Sequence, residues 1–208
     1  MSQGEFWPER GVIKNVWTPI NPQKFPMGLS GNSVSVDIGE PNWSVSISVQ
    51  APIRSALARE WSGFFARRQG SKVSFTMNRS FRSFPFRKTV DTDAGLTIGS
   101  IDRAASRVEL SNVEAHYAPE TGDMIGYYTA NSGYWTGEVL RPAQVTYNGQ
   151  KASVFLDVWP APYAPHETTA NPRRFKALGE FRLIATPSIT ESYTQRAWNF
   201  KARQVIRG

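Results

Sequence analysis

His116 and His166 are the only imidazoles in the chain, and there is no cysteine. A nucleophilic triad needs a base, normally His, held against its nucleophile. His116 sits in Glu114-Ala115-His116-Tyr117 beside an expected strand, and His166 lies in a proline-rich stretch. Neither has a Gly-x-Ser-x-Gly elbow to serve, so both read as surface or interface imidazoles. Metal chemistry is equally poorly provided for, with no His-x-x-x-His pair, no thiolate and no EF-hand spacing. Asp91-Thr92-Asp93 reads as a solvated or Arg-paired loop. A glycosidase needs only two carboxylates, roughly 5–9.5 Å apart. Glu60, Asp102, Glu109, Glu114, Glu120, Asp123, Glu138 and Asp157 supply candidates, but nothing in their spacing selects a pair. Gly-x-x-x-x-Gly-Lys is absent too. No catalytic, cofactor-binding or metal-binding residue is therefore expected, and the chain does not read as an enzyme.

Binding chemistry is better represented. Asn78 to Gly95 mixes Arg79, Phe81, Arg82, Phe84, Pro85, Phe86, Arg87 and Lys88 without sustained periodicity. Such an extended arm could stack bases on its rings and track phosphates with its arginines. It could equally pack Phe84 and Phe86 into a core or a neighbouring subunit, with Arg82 and Arg87 pairing acids. Trp135 and Trp159, with nearby tyrosines, are candidate sugar platforms. The formal net charge is +7, which fits nucleic acid, an acidic membrane surface, an acidic protein, or simply a soluble surface. Arg outnumbers Lys, and planar guanidinium groups suit interface contacts.

These residues need a scaffold, and the pattern that supplies it is mostly period two. Trp43-Ser44-Val45-Ser46-Ile47-Ser48-Val49 alternates apolar and polar, as a half-buried strand does. Val34 to Ile38 has the same pattern, and Gly39-Glu40-Pro41-Asn42 predicts a hairpin turn between the two. One helix is predicted over about 53–69. Pro52 would stand at its first turn, with Leu57, Trp61, Phe64 and Phe65 on one face. Arg67 and Arg68 would sit in the last turn, where the helix dipole favours cations, and Gly70 would stop it. Gly63 weakens the interior by about 1 kcal/mol, which suggests close packing there. Lys72 to Met77 reads as a strand.

From Leu96 to Trp159 the expected strands are short: 96–98, 107–110, 124–128, 134–140, 145–147 and 154–159. Turn residues separate them, Asn148-Gly149 being the strongest hairpin signal. This spacing suggests a small antiparallel barrel or sandwich. Pro160 to Pro165 reads as a linker. Phe181 to Ala185 and a closing stretch follow, with Trp198, Phe200 and Ala202 facing one way and Asn199, Lys201 and Arg203 the other. A strand so near the C-terminus is stable only within a larger sheet, and the N-terminal region offers one. The expected division is therefore 1–95 plus 178–208 as one unit, with 96–177 inserted. No apolar run reaches the ~18 residues of a membrane span. Met1 to Arg10, with Glu5, Pro8 and Glu9, lacks the apolar region of a secretory signal.

The order of these elements resembles distal tail and related baseplate proteins of long-tailed phages. It comprises alternating strands, the Leu57-Ala58-Arg59-Glu60-Trp61-Ser62-Gly63-Phe64-Phe65 helix, Gly70, Val73-x-Phe75, Gly122-Asp123-Met124-Ile125 and Phe181-Arg182-Leu183. The resemblance implies a mainly β fold: a tail-tube-like sandwich or split barrel with one flanking helix, plus an inserted accessory β-domain. It implies a homo-oligomeric, hexameric ring in the virion, made in the host cytoplasm. That ring would join the tail tube to the hub and receptor-binding parts, and would meet nucleic acid only as the passing genome. The basic charge departs from the acidic lumen such tubes commonly have. The alternatives are a nucleic-acid-binding β-barrel module and a tail-associated carbohydrate-binding protein or hydrolase.

Overall fold

The structure, a computed structural model, describes residues 5–24, 36–37, 39–68, 72–79, 96–114, 119–129, 133–148, 151–162, 171–173 and 177–205. It is mainly β, with one helix among the described residues. The elements before the helix are β1 (Glu5–Phe6), β2 (Val12–Ile20), β3 (Gln23–Lys24), β4 (Val36–Asp37) and β5 (Asn42–Pro52). After α1 (Ala56–Arg68) come β6 (Phe75–Met77), β7 (Thr97–Asp102), β8 (Arg107–Glu114), β9 (Met124–Thr129), β10 (Gly133–Asn148) and β11 (Lys151–Trp159). The chain continues through β12 (Asn171–Arg173), β13 (Gly179–Leu183), β14 (Ser188–Glu191) and β15 (Gln195–Gln204). No helix among the described residues is long and apolar enough to cross a membrane.

Two principal sheets form. The first runs β1-β6-β13-β15-β5-β2, with β14 also paired to β15. The second runs β12-β9-β10-β11-β8-β7, and neither closes into a barrel, although β7 and β12 approach each other. Strands of the first sheet come from both ends of the described chain, and those of the second from the stretch between β6 and β13.

Alternation in β5 translates directly into burial. Trp43, Val45, Ile47, Val49 and Ala51 point into the core, while Ser46 is exposed and Ser44, Ser48 and Gln50 are partly exposed. Its antiparallel partner β15 buries Trp198, Phe200, Ala202 and Gln204 and exposes Asn199, Lys201 and Arg203. The closing strand thus joins the N-terminal sheet as its pattern requires. The predicted hairpin between Val34–Ile38 and Trp43–Val49 does not form. The described part of the first segment, β4, pairs with β3 instead. Both edges of β5 are already taken, by β2 and β15. In the second sheet, the two strands predicted over 134–140 and 145–147 are one continuous β10. Register shifts between Val139 and Arg141 and between Pro142 and Gln144 accommodate the proline, which a strand tolerates at a bulge.

The helix begins later than predicted. Pro52 ends β5 rather than opening the helix. The cap is Ser55, whose Oγ accepts a hydrogen bond from the Ala58 amide at 3.1 Å, satisfying one of the orphan donors of the first turn. Trp61 and Phe64 are fully buried, and Leu57 and Phe65 pack against the same core from partly exposed positions. Close packing does not explain Gly63, because a Cβ there would meet only the Nη1 end of Arg67, at 3.1 Å. Gly63→Ala is therefore expected to stabilise the protein by about 0.5–1 kcal/mol. Thermal unfolding should show a rise of about 1–4 °C.

Candidate assembly surfaces and the aromatic junction

Three features of the first sheet could engage other molecules: its cluster at the helix C-terminus, its junction with the second sheet, and its free edges. The cluster starts from Arg68. Sequence position makes it a dipole-facing cation, but it is only 1% exposed. Its Nη1 donates to the Ser74 carbonyl at 2.7 Å and its Nη2 pairs with Glu5. The guanidinium carbon lies 4.7 Å from the centre of the Phe64 ring and 5.9 Å from that of Phe75, within cation–π range. Arg67 binds the same carboxylate from the exposed side through Nε at 3.1 Å. Hydrogen bonding from Arg67, aided by the charges of both arginines, holds the Glu5 carboxyl below its ordinary 4.5, against a smaller opposing effect of burial. Burial lowers the Arg68 pKa, although the guanidinium stays cationic.

A carboxyl depressed in the folded state stabilises it above the unfolded value and loses that contribution as pH falls through the folded value. The Glu5 contribution is thus complete at neutral pH, begins to decline near the ordinary 4.5 and is lost as pH falls through the depressed folded value. Glu5→Gln should lower the urea midpoint at pH 7, and the gap from wild type should narrow steadily towards pH 3. A gap independent of pH would remove this account of the ion pair.

At the junction, aromatic rings from the two sheets meet. Trp43 crosses Trp159 edge-on at 4.6 Å and Trp17 at 5.6 Å. Trp159 Nε1 donates to Asn21 Oδ1 at 3.3 Å. Buried Gln204 bridges the sheets, its Oε1 accepting from the Trp43 amide at 3.3 Å and its Nε2 donating to the Thr136 carbonyl at 3.2 Å. Gly179 is required here because a Cβ would lie 2.6 Å from Thr136 Cγ2. Beside this contact opens a cleft of about 420 Å³, walled by Trp17, Trp43 and Trp159 and by the Arg79–Glu138 ion pair at 3.0 Å.

The sugar-platform reading divides between its two tryptophans. Trp135 is fully buried, stacked on Tyr127 at 5.0 Å, and cannot receive a ligand. Its ring fills the space where a Cβ on Gly137 would stand, 2.6 Å away. Trp159 does line the cleft.

Several of the carboxylates considered for catalysis already have partners. Asp102 accepts from the Ala105 amide at 3.0 Å, Glu109 from Ser100 at 2.9 Å, and Asp123 from the Glu120 amide at 2.9 Å. Asp157 is held by Arg107 at 3.0 Å and Arg141 at 2.9 Å. Hydrogen bonds from both arginines lower its pKa, opposite to the shift a general acid needs. Glu60 is exposed on the helix. His116, His166, Asp91, Asp93 and the basic arm beyond Arg79 lie outside the described residues. Among the described residues, no three acidic or imidazole side chains gather as a metal site would require.

No protein-family model and no curated protein matches the chain.

The free edges are the feature that residue-type analysis missed. β2, nine residues long, lies at one end of the first sheet, and β14 covers part of β15 on the other side of β5. Neither outer edge is paired with a strand among the described residues. Ile13 on β2 and Ile189 on β14 are each 59% exposed, and Tyr193 just after β14 is 99% exposed. Unpaired edges are templates for pairing with another chain.

Proposed function

We propose that the protein is a ring-forming structural component of the distal tail of a long-tailed phage. It would be a virion protein that joins the tail tube to the hub and receptor-binding baseplate, and not an enzyme. The second sheet, with its own apolar core, would be the accessory unit. The observation that carries the assembly reading is the strand count between β14 and β2, whose outer edges no described strand pairs; the sheet's other terminal strand is the two-residue β1. In the order β14-β15-β5-β2 every neighbouring pair is antiparallel. An even number of alternating strands leaves the two edges running in opposite directions. Identical copies placed head to tail, without inversion, therefore bring β14 of one copy antiparallel to β2 of the next. Heterologous contacts of this kind close into rings when the rotation allows. The exposed Ile13 and Ile189 supply apolar contacts along this seam.

Sedimentation velocity tests the reading. Wild type should form a closed multiple of its 23.3 kDa mass, while Ile13→Lys and Ile189→Lys should each be monomeric. Mixing these two variants should restore one junction only and stop at dimers. A wild type that stays monomeric at every concentration would sink the reading.

A further inference from the structure

We infer that the solvent face of the first sheet is a docking surface for double-stranded nucleic acid, held through its phosphate backbone. The helix and core occupy the other face. The residues turned away from the core alternate with the buried ones. They include Lys14, Val16 and Thr18 on β2; Ser44, Ser46 and Ser48 on β5; Asn199, Lys201 and Arg203 on β15; and Arg182 on β13. All four cations are exposed, and none has an ion-pair partner among the described residues. Glu180, two positions before Arg182, is buried, so no carboxylate of these strands is exposed with them among the described residues.

Arg182 and Arg203 stand directly opposite each other across β13 and β15. Like charges in that position destabilise a sheet, and an anion bound between them would relieve the repulsion. Lys201 lies two residues along the same strand from Arg203, roughly 7 Å away. Lys14 is in register with Ser48, which pairs with Asn199 and donates to its Oδ1 at 2.6 Å. The four positively charged groups thus spread over four adjacent strands, a width of roughly 14 Å at ordinary strand spacing.

The chemistry between the cations selects the partner. Protein interfaces gather aromatic and apolar anchors at their centre, whereas the centre of this face is Ser44, Ser46, Ser48 and Asn199, with the exposed Val16 opposite Ser46 as an isolated apolar side chain on the flanking strand. Hydroxyls and amides interspersed with Lys and Arg are the donors that contact phosphate and sugar. Five of the acids a second copy could offer, Glu5, Glu40, Glu138, Asp157 and Glu191, are already engaged by arginines of their own chain. With no aromatic ring on the face among the described residues, base stacking to a single strand is not provided there. A four-stranded surface is also too broad to enter a groove that admits a two-stranded ribbon. Binding should therefore be sequence-independent.

Fluorescence anisotropy with a labelled duplex DNA of random sequence tests this on the full chain. Four phosphate contacts predict a log–log salt slope near −3.6, equivalent to about a hundredfold loss between 50 and 200 mM salt. The variant Lys14→Gln/Arg182→Gln/Lys201→Gln/Arg203→Gln should abolish that component. A charge-matched control, Arg10→Gln/Arg54→Gln/Arg59→Gln/Lys72→Gln, removes exposed cations elsewhere and should retain it. Should the fourfold variant fail to fold, each single substitution should still reduce the slope by about 0.9. Absence of wild-type binding at 50 mM salt, equal loss in both fourfold variants, or equally tight binding of polyglutamate would each overturn the proposal.

Discussion

Replacing Trp61 with alanine is expected to remove about 3–5 kcal/mol of folding stability, the range for truncating a fully buried large aromatic. Trp61 is the largest of the side chains through which the helix meets the sheet, beside Phe64 and Phe65. Its ring centre lies 6.0 Å from that of Trp7, 5.6 Å from Phe64, 5.7 Å from Phe65 and 6.1 Å from Phe200. Those partners come from the N-terminal segment, the helix and β15, so a void there weakens three separate parts of the chain. The indole also donates to the Arg10 carbonyl at 2.8 Å, and that acceptor would lose its partner. Trp61→Phe keeps most of the packing and should lose much less. Against a typical total of about 5–15 kcal/mol, the alanine variant should show a large drop in urea midpoint. A loss under about 1 kcal/mol would show that the helix does not anchor the sheet.

Arg68→Ala is expected to have the next largest effect, about 3 kcal/mol. Truncation leaves a cavity against the Phe64 and Phe75 rings, which already meet each other edge-on at 5.2 Å, and strips the Ser74 carbonyl of its donor, each effect worth about 1–3 kcal/mol. Electrostatics is the smaller part, since Glu5 remains half exposed and still holds Arg67. Arg68→Met should therefore recover at least half of the loss, because a hydrophobe of similar length can replace a buried cation with little penalty. If methionine were as harmful as alanine, the guanidinium would matter for its charge rather than its bulk. Chemical denaturation of both variants at pH 7 makes the comparison.

What could be read before the structure depended on whether a strand kept strict alternation. Trp43 to Val49 and Trp198 to Ala202 do so, and their burial and pairing follow from the pattern. β2 escaped because its register slips between Val12 and Lys14, which breaks period two at the start, while Pro19 breaks the propensity near its end. β10 was divided in two because Pro142 normally terminates a strand, and only the register shift beside it shows why here it does not. Leu57, Trp61, Phe64 and Phe65 mark the helix in the sequence, but the proline before it reads as its first turn, whereas Ser55 makes the cap. Arg68 reads in the sequence as a last-turn cation favoured by the helix dipole, since nothing local announces the Phe64 and Phe75 rings against which it packs. The assembly edges are not legible in the sequence, because neither β2 nor β14 reads as a strand there and an edge is defined only by the sheet order.

The edge-to-edge model can be tested by chemistry that the chain makes simple, since it contains no cysteine. Ile13→Cys and Ile189→Cys, placed together in one chain, stand on opposite sides of a four-stranded stretch. That distance far exceeds the ~7 Å limit between Cα atoms for a disulfide, so they cannot join within one molecule. Oxidation should yield a ladder of covalent oligomers on a non-reducing gel, ending at a single closed species. A product that remains monomeric after oxidation, with both thiols still free, would contradict β14-to-β2 continuation between copies.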